Sequence, residues 1–282
     1  MHDLLGRPPL SEVADEIQRI ADSVLAIDRP VLAPRIDLVE LTACCHLEAA
    51  LLDRGRPYHR IVRKNTALAL DGTDPSSLVL FDEGMELDAQ GIVLAPLHLT
   101  FDIGRDRPRK HAVVDIVTAA AAVSEVIAPE GRRRRAIRPW ALLGSWLRSS
   151  LDRTYDVIHS SIRDHLLEEG SIRVVPLPEL ENADLDGLEG LSERLLERLR
   201  ARWAGMDHSQ RATALSEIVL PTLGRTKLST PRIEMLVWMR VLGASWTEDL
   251  ATRASRALES LASDSDQVGW SHTWMDGVLT QG

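Results

Sequence analysis

Residues 31–63 read VLAPRIDLVELTACCHLEAALLDRGRPYHRIVR, and their pattern decides the fold class. Val31-Leu32-Ala33 reads as the end of a short buried strand, and Pro34 to Asp37 as a turn. Leu38 to Arg54 reads as a helix with Gly55 as its stop signal. Helical spacing places Leu41, Cys44, Cys45, Ala49 and Leu52 near one face. Tyr58 to Arg63 then resumes as a strand. Strand, loop, helix and strand in this order form the unit from which parallel sheets with crossover helices are built. Such sheets place ligands at the carboxyl ends of their strands, so function is sought first at the turn after Ala33.

Working outward, Ser11 is expected to cap a helix over Glu12 to Leu25 with Val13, Ile17, Ile20 and Val24 inward, broken by Asp28-Arg29-Pro30. A polar turn over Ala69 to Pro75 precedes an apolar strand, Ser77 to Gly84, and a further strand, Gly91 to Leu97, stopped by Pro96. His111 to Ile127 reads as one long alanine-rich helix, and Pro139 to Leu151 as another with proline in its first turn. Thr154 to Glu169 reads as helix and Ile172 to Val175 as strand. Pro176-Leu177-Pro178 marks a boundary. Beyond it come an amphipathic helix, Leu188 to Trp203, with Leu191, Leu195, Leu199 and Trp203 on one side, and a strand, Leu215 to Leu220. Two more helices follow, Pro231 to Leu242 and Glu248 to Ala262, and the last twenty residues read as loosely held. The expected architecture is α/β: a parallel sheet with helices on both faces over 1–175, and a smaller α+β domain over 180–282.

Composition fits a soluble globular protein, with 27% charged and 44% hydrophobic residues in a chain of 282. No run approaches the roughly 18 apolar residues of a membrane span, and the first residues lack the order of a signal peptide. A net charge of -9 argues against a general nucleic-acid-coating role but leaves room for a local basic groove. Cys44 and Cys45, adjacent on a helix, are poor disulfide partners and form no CxxC pair, which points to a reducing, cytoplasmic setting.

The segment PRIDLVELTACCHLEAALLDRG resembles the first motif of the DHH phosphoesterases, the family that contains the RecJ single-strand exonucleases. In that family the turn reads His-x-Asp-x-Asp-Gly. Laid on this chain without gaps, the His falls on Arg35, the first Asp on Asp37, the second on Val39 and the Gly on Glu40. The helix start Leu41-Thr42-Ala43 and its end, Leu51 to Gly55, agree with the family. Leu80-Phe81-Asp82-Glu83-Gly84 is similar to the second motif, a strand ending in Asp-x-Gly, and retains Asp82. Val93 to Leu97 stands where the Asp-His-His signature belongs, so Ala95, Pro96 and Leu97 replace its ligands. Phe101 to Ala122 resembles the Phe-Gly-Ile-Asp-Gly segment and its alanine-rich helix. Trp140 to Leu147 follows Ala-Leu-x-Gly-x-x-x-Asp up to the ligand Asp, which is Arg148. The resemblance covers residues 30–148, and the glycine-rich substrate motifs of the family's second domain are missing.

DHH enzymes hydrolyse phosphodiesters with two divalent ions, usually manganese, held by Asp and His at strand ends. Two dications repel strongly unless several carboxylates neutralise them, and Asp37 and Asp82 alone are too few. Arg35 and Arg148 bring cations to the same place, where they are expected to pair with Asp37 and Asp82 instead of metal. The resemblance therefore implies an inactive homologue: no catalytic residue, no metal, no cofactor. It is similar to the eukaryotic replication factor Cdc-forty-five and to the inactive archaeal RecJ-like proteins. That implies a scaffold of the DNA replication machinery that binds GINS and the MCM helicase at replication forks, as in the CMG complex, with single-stranded DNA as a further contact and no membrane. Two alternatives stand beside it, a divergent metal-dependent single-strand exonuclease or phosphoesterase and a nucleotide-binding regulatory protein.

Plainer readings accompany each residue. Asp37 and Asp82 read equally well as helix caps. His46, His98 and His111 have a spacing that fits no ligand pattern, which favours packing or surface roles. Arg132, Arg133, Arg134 and Arg135, with Arg138, read either as a solvated loop or as contacts to phosphate or an acidic partner. Trp238 and Trp246 read as core, and Trp270 and Trp274 as partner contacts or local packing.

Overall fold

The computed structural model describes residues 4–64, 73–84, 90–101, 110–148, 151 and 156–281. Its first body is a four-stranded, all-parallel sheet of β1 (Val31–Ala33), β2 (His59–Arg60), β3 (Leu78–Phe81) and β4 (Ile92–Leu94) in the order β2-β1-β3-β4. Val31 pairs with His59 on one side and Leu78 on the other, and Val79 pairs with Ile92. β1 and β3 are buried throughout, as expected of parallel strands with unbroken apolar runs. Helices α1 (Ala14–Ala26), α2 (Leu38–Asp53) and α3 (Ile116–Ile127) share one core with Leu32, Val79, Phe81 and Leu94 on one sheet face. The opposite face gathers Val31, Ala33, Leu78 and Leu80, with Ile61 and Val93 at the edge, and among the described residues no helix residue joins that cluster.

The strand-helix-strand unit forms as its sequence dictates. Asp37 caps α2, accepting from the Val39 and Glu40 amides at 2.9 and 3.2 Å, and Gly55 supplies the positive φ of +64° that ends it. α2 is buried on nearly every side, not on one face, and reaches solvent only at Val39 in its first turn and at Leu52 and Asp53 in its last. The buried Glu48 in this helix is answered by Arg60 of β2 through two bonds of 2.6 Å, and Arg60 also holds Asp276 at 2.8 Å.

Several elements differ from expectation, each for a local reason. Ser11 does not cap α1. A 3-10 turn, Leu10–Val13, precedes the helix, which starts at Ala14 without a side-chain cap. The stretch expected as one helix from His111 splits: β6 (Lys110–Val114) pairs antiparallel with β5 (Leu97–Phe101), and Asp115 then caps α3. Pro139 to Leu147 forms a 3-10 turn, Arg138–Leu142, and the short α5 (Leu143–Leu147), after the equally short α4 (Arg132–Ala136). The Ala69 to Pro75 turn and the Phe101 to Ala122 match fall partly outside the described residues.

Beyond α6 (Val157–Glu168) and β7 (Ile172–Val175), a second apolar cluster joins Leu177, Leu188, Leu196, Leu199, Trp203 and Leu215. Helix α7 (Glu193–Trp203) buries Leu196, Leu199 and Trp203 but exposes Leu195. The expected strand over Leu215 to Leu220 is part of α8 (His208–Leu223), nucleated by an Asp207–Gln210 capping box that overrides the β-branched pair Ile218-Val219. The expected helix from Pro231 stops at Trp238 in α9 (Thr230–Trp238), and β8 (Arg240–Gly243) then pairs antiparallel with β7. Helices α10 (Leu250–Ser263) and α11 (Gln267–Gln281) complete the chain. The last twenty residues are therefore mostly helical and packed: Met275 and Ser271 are fully buried, and Met275 and Val278 belong to the main core, which also takes in Leu180, Val241, Leu242 and Trp246. Among the described residues no helix is long and apolar enough to cross a membrane.

Candidate functional site

The strand order reverses between β1 and β3, with β2 lying to one side and β4 to the other. In open parallel sheets this is where a crevice opens at the carboxyl ends of the strands. The residues that follow β1, β2 and β3 meet there. Arg35 follows β1 and donates to Glu40, its backbone N–H to Oε2 at 2.8 Å and its Nε to Oε1 at 2.5 Å. The same guanidinium stands 3.7 Å from Asp82 Oδ1, at the end of β3. Arg63 continues the line of β2 by a bridge to Arg35. Its Nε donates to the Ala33 carbonyl at 2.7 Å and its Nη2 reaches the Phe81 carbonyl at 3.5 Å, so one side chain spans the ends of β1 and β3. Glu40 is wholly buried, with Arg63 3.9 Å from its other oxygen.

A second group adjoins the first. Glu83 accepts from the Ile116 amide at 3.3 Å and lies 3.7 Å from Arg148 Nε. Arg148 also donates to the Val113 carbonyl at 3.3 Å. Asp115 is buried and caps α3 through the Val117 and Thr118 amides, both at 3.0 Å, and the Thr118 hydroxyl at 2.9 Å. Gly144 lies so close that a Cβ there would overlap the Asp115 carboxyl.

Burial governs the protonation of this cluster. It raises Glu40, against the opposing pull of Arg35, and raises Asp115. Glu83 is pushed up to about 7 by burial and then by the negative charge of Asp115. Burial lowers Arg63, with Arg35 adding to the effect, while Glu40 and Asp82 oppose it.

The sequence-derived residues fall into place unevenly. Arg35 does meet Asp82, but its main partner is Glu40. Asp37 has no part in an arginine pair; it is exposed and serves as the α2 cap. Asp82 is buried and accepts from the Gly84 amide at 3.2 Å. Arg148 pairs with Glu83, not with Asp37 or Asp82. Val39 is half-buried in the first turn of α2, and Ala95 and Pro96 form the step from β4 to Leu97, the first residue of β5. Glu40, Arg63, Glu83 and Asp115 escaped the sequence reading. Their one local signal is charge set inside apolar runs, as in LVELTACC and VVDIV.

The histidines do not converge. His46 is fully buried with neither ring nitrogen hydrogen-bonded, and burial lowers it to about 3. His98 and His111 lie exposed on the β5–β6 pair, His111 Nδ1 3.0 Å from the Thr100 hydroxyl. Among the described residues no group of three His, Cys, Asp or Glu is placed to hold a metal ion.

The basic run is not a loop. Asp53 accepts from the Arg133 and Arg134 amides at 3.2 and 3.0 Å and so occupies the start of α4. Arg134 and Arg138 are buried around Glu125, at 3.3 and 2.5 Å, and Arg138 also pairs with Glu169. These two are structural and closed to an external partner. Arg133 faces Asp53 at 3.5 Å, Arg135 pairs with Glu130, and Arg132 is exposed. Arg132 and Arg133 line a cavity of about 890 Å³ with Asp53, Arg54, Gly131 and Thr280.

The sequence matches no protein-family model and no curated protein. The site is therefore read from its own chemistry.

Proposed function

We propose that the chain is a catalytically inactive relative of the DHH phosphoesterases that acts as a scaffold in DNA replication, binding GINS and the MCM helicase at replication forks. The observation that carries the inactive half is the Arg35 guanidinium set between Glu40 and Asp82 at the sheet's switch point. A pair of divalent ions at this end of the sheet needs several carboxylates free of other cations. Here Glu40 and Asp82 face Arg35, Glu83 faces Arg148, and Asp37 and Asp115 cap helices. The residues present do not fit two manganese ions. The sheet order and the apolar frame around Asp37 and Asp82 support the resemblance. The partner assignment rests on that resemblance alone.

Two measurements test the proposal. A single-stranded oligonucleotide incubated with the protein and manganese should stay intact, and cleavage abolished by Asp82→Asn would overturn the inactive reading in favour of a divergent exonuclease. Tagged protein should retain GINS and MCM subunits from native extract. Their absence from a pull-down that recovers other partners would overturn the replication reading and leave the inactive one standing.

A further inference from the structure

A cavity of about 410 Å³ lies between α10 and α11, lined by Trp140, Trp270, Trp274, Arg253, Ser260 and Gly277 among others. Its size falls within the range of roughly 300–1,000 Å³ typical of small-molecule sites. Trp270 and Trp274 stack with centroids 5.8 Å apart and planes 11° from parallel, and both are half-buried. Trp274 meets Trp140 edge-on at 5.6 Å, and Trp140 meets Trp246 at 5.0 Å. Trp270 Nε1 donates to the Ser260 hydroxyl at 2.8 Å, which fixes that ring's orientation.

The polar groups of this wall are unbalanced. Arg253 lies 4.3 Å over the Trp246 ring and 5.9 Å from that of Trp140. The Trp140 indole N–H and Arg253 Nε are buried without acceptors. Glu248, the nearby carboxylate, is paired with Arg256, and the Ser260 oxygen is taken by Trp270. The Arg253 guanidinium, whose nearby carboxylate Glu248 is shared with Arg256, therefore lines the same cavity as the stacked Trp270–Trp274 pair. Tryptophan cages often receive cations. Here the protein's own Arg253 already fills that role, so the missing component is an anion.

We propose that this cavity binds a small planar aromatic anion, whose ring stacks on the Trp270–Trp274 pair and whose anionic oxygens accept from the Arg253 guanidinium. The ring-bearing anion could be a carboxylate or a phosphate ester such as a nucleotide, and the two are separated by experiment. The inference is independent of the replication reading, since it uses neither the sheet crevice nor the resemblance.

The full-length protein is titrated with indole-3-carboxylate, with a nucleoside monophosphate and with neutral indole-3-carboxamide, read by calorimetry and tryptophan fluorescence. At least one anion should bind about ten-fold or more tightly than the amide, because hydrogen bonds to charged groups are the stronger class. Whichever anion binds identifies the source as carboxylate or phosphate. Arg253→Met should bring the anion down to the amide's affinity, and Trp270→Leu should weaken both by about five-fold through lost stacking. Should Arg253→Met fail to fold, Arg253→Lys keeps the charge without the planar fork and should lose several-fold for the anion only. Silence of all three probes at millimolar concentration would overturn the proposal. So would equal affinity for anion and amide, or an anion preference left undiminished by Arg253→Met or, should that variant not fold, by Arg253→Lys.

Discussion

Replacing Arg35 by methionine tests whether the crevice is held by charge. The substitution keeps the apolar stem and removes the guanidinium from the buried Glu40 (0% exposed) and Asp82 (1% exposed). Stripping one partner from a buried ion pair costs roughly 3–5 kcal/mol. Arg63 still faces Glu40 at 3.9 Å and Arg35 is itself 26% exposed, so the low end, about 3 kcal/mol, applies here. The loss should depend on pH in a defined direction. Glu40 is already raised by burial against the pull of Arg35, so removing Arg35 raises it further. A carboxyl raised above its unfolded value favours the folded state while protonated, and that advantage is lost as pH rises through its folded pKa. The variant's deficit should therefore be largest at neutral and alkaline pH and shrink on acidification, as Glu40 takes up a proton and no longer needs a cation. Urea unfolding of both proteins at pH 5 and pH 8, extrapolated to water, reads the difference. Glu40→Gln in the Arg35→Met background should return much of the lost stability, because a neutral amide is cheaper to bury than an unpaired carboxylate. A deficit below about 1 kcal/mol, the value of an exposed pair, or one that does not change with pH, would refute the reasoning.

Three further outcomes follow from neighbouring contacts. Glu83 is raised to about 7, so the wild-type protein should lose up to about 3 kcal/mol between the ordinary carboxylate range and neutrality. Glu83→Gln should flatten that part of the stability–pH profile, and an unchanged profile would show that Glu83 titrates normally. Gly144→Ala pushes a methyl group into the Asp115 carboxyl that caps α3, which should cost about 2–3 kcal/mol in the same assay through overpacking and loss of the cap. Arg240→Met removes a 3.0 Å bond to Asp249 in a pair 1% exposed on each side, together with bonds to the Leu236 and Asp184 carbonyls. The expected loss is about 3–5 kcal/mol; a loss below 1 kcal/mol would mean that solvent reaches Asp249.

Much of the sheet was legible because its central strands, β1 and β3, are buried throughout and must be apolar. VLA, LVLF and IVL, with punctuation at Pro34, Asp82 and Pro96, allow little else. The β6–α3 junction was not, since KHAVV and IVTAAAAV run together as a helical pattern until Asp115 is seen as a cap. LSEIVL carries strand propensity, and only the capping box several residues upstream commits it to helix. The tail reads as polar because its apolar positions, Met275 and Val278, are sparse; their burial depends on α2, more than two hundred residues earlier. Arg35, Asp37, Asp82 and Arg148 were singled out by the resemblance to the DHH motifs. Their actual partners, Glu40, Arg63 and Glu83, could be chosen only by geometry, because Arg63 reaches the crevice by register with β1. The run at Arg132 shows the same limit: five arginines look alike in sequence, yet Glu125 buries two of them.

If the arginines at the sheet ends replaced metal ligands, putting ligands back should restore a preference for divalent cations. The informative variant combines Arg35→His, Val39→Asp and Arg148→Asp, which places the ligands of the DHH motifs at three positions and removes two cations from the crevice. Without metal this variant should be less stable than wild type, since Glu40, Asp82 and Glu83 lose their guanidinium partners and the added carboxylates repel them. Manganese should then stabilise it in a concentration-dependent way, because an ion that binds only the folded state shifts unfolding by mass action. The same manganese should leave wild type unmoved, where Arg35 and Arg63 occupy the space by charge and Arg63 already satisfies the Ala33 and Phe81 carbonyls. The comparison separates two histories of the same geometry. A crevice that once held metal needs only its ligands back, whereas one that arose as an arginine-braced sheet end has no reason to prefer manganese over sodium. Equal stabilisation of both proteins, or of neither, would count against descent from a metal site, while leaving the charge bracing itself to the Arg35→Met measurement.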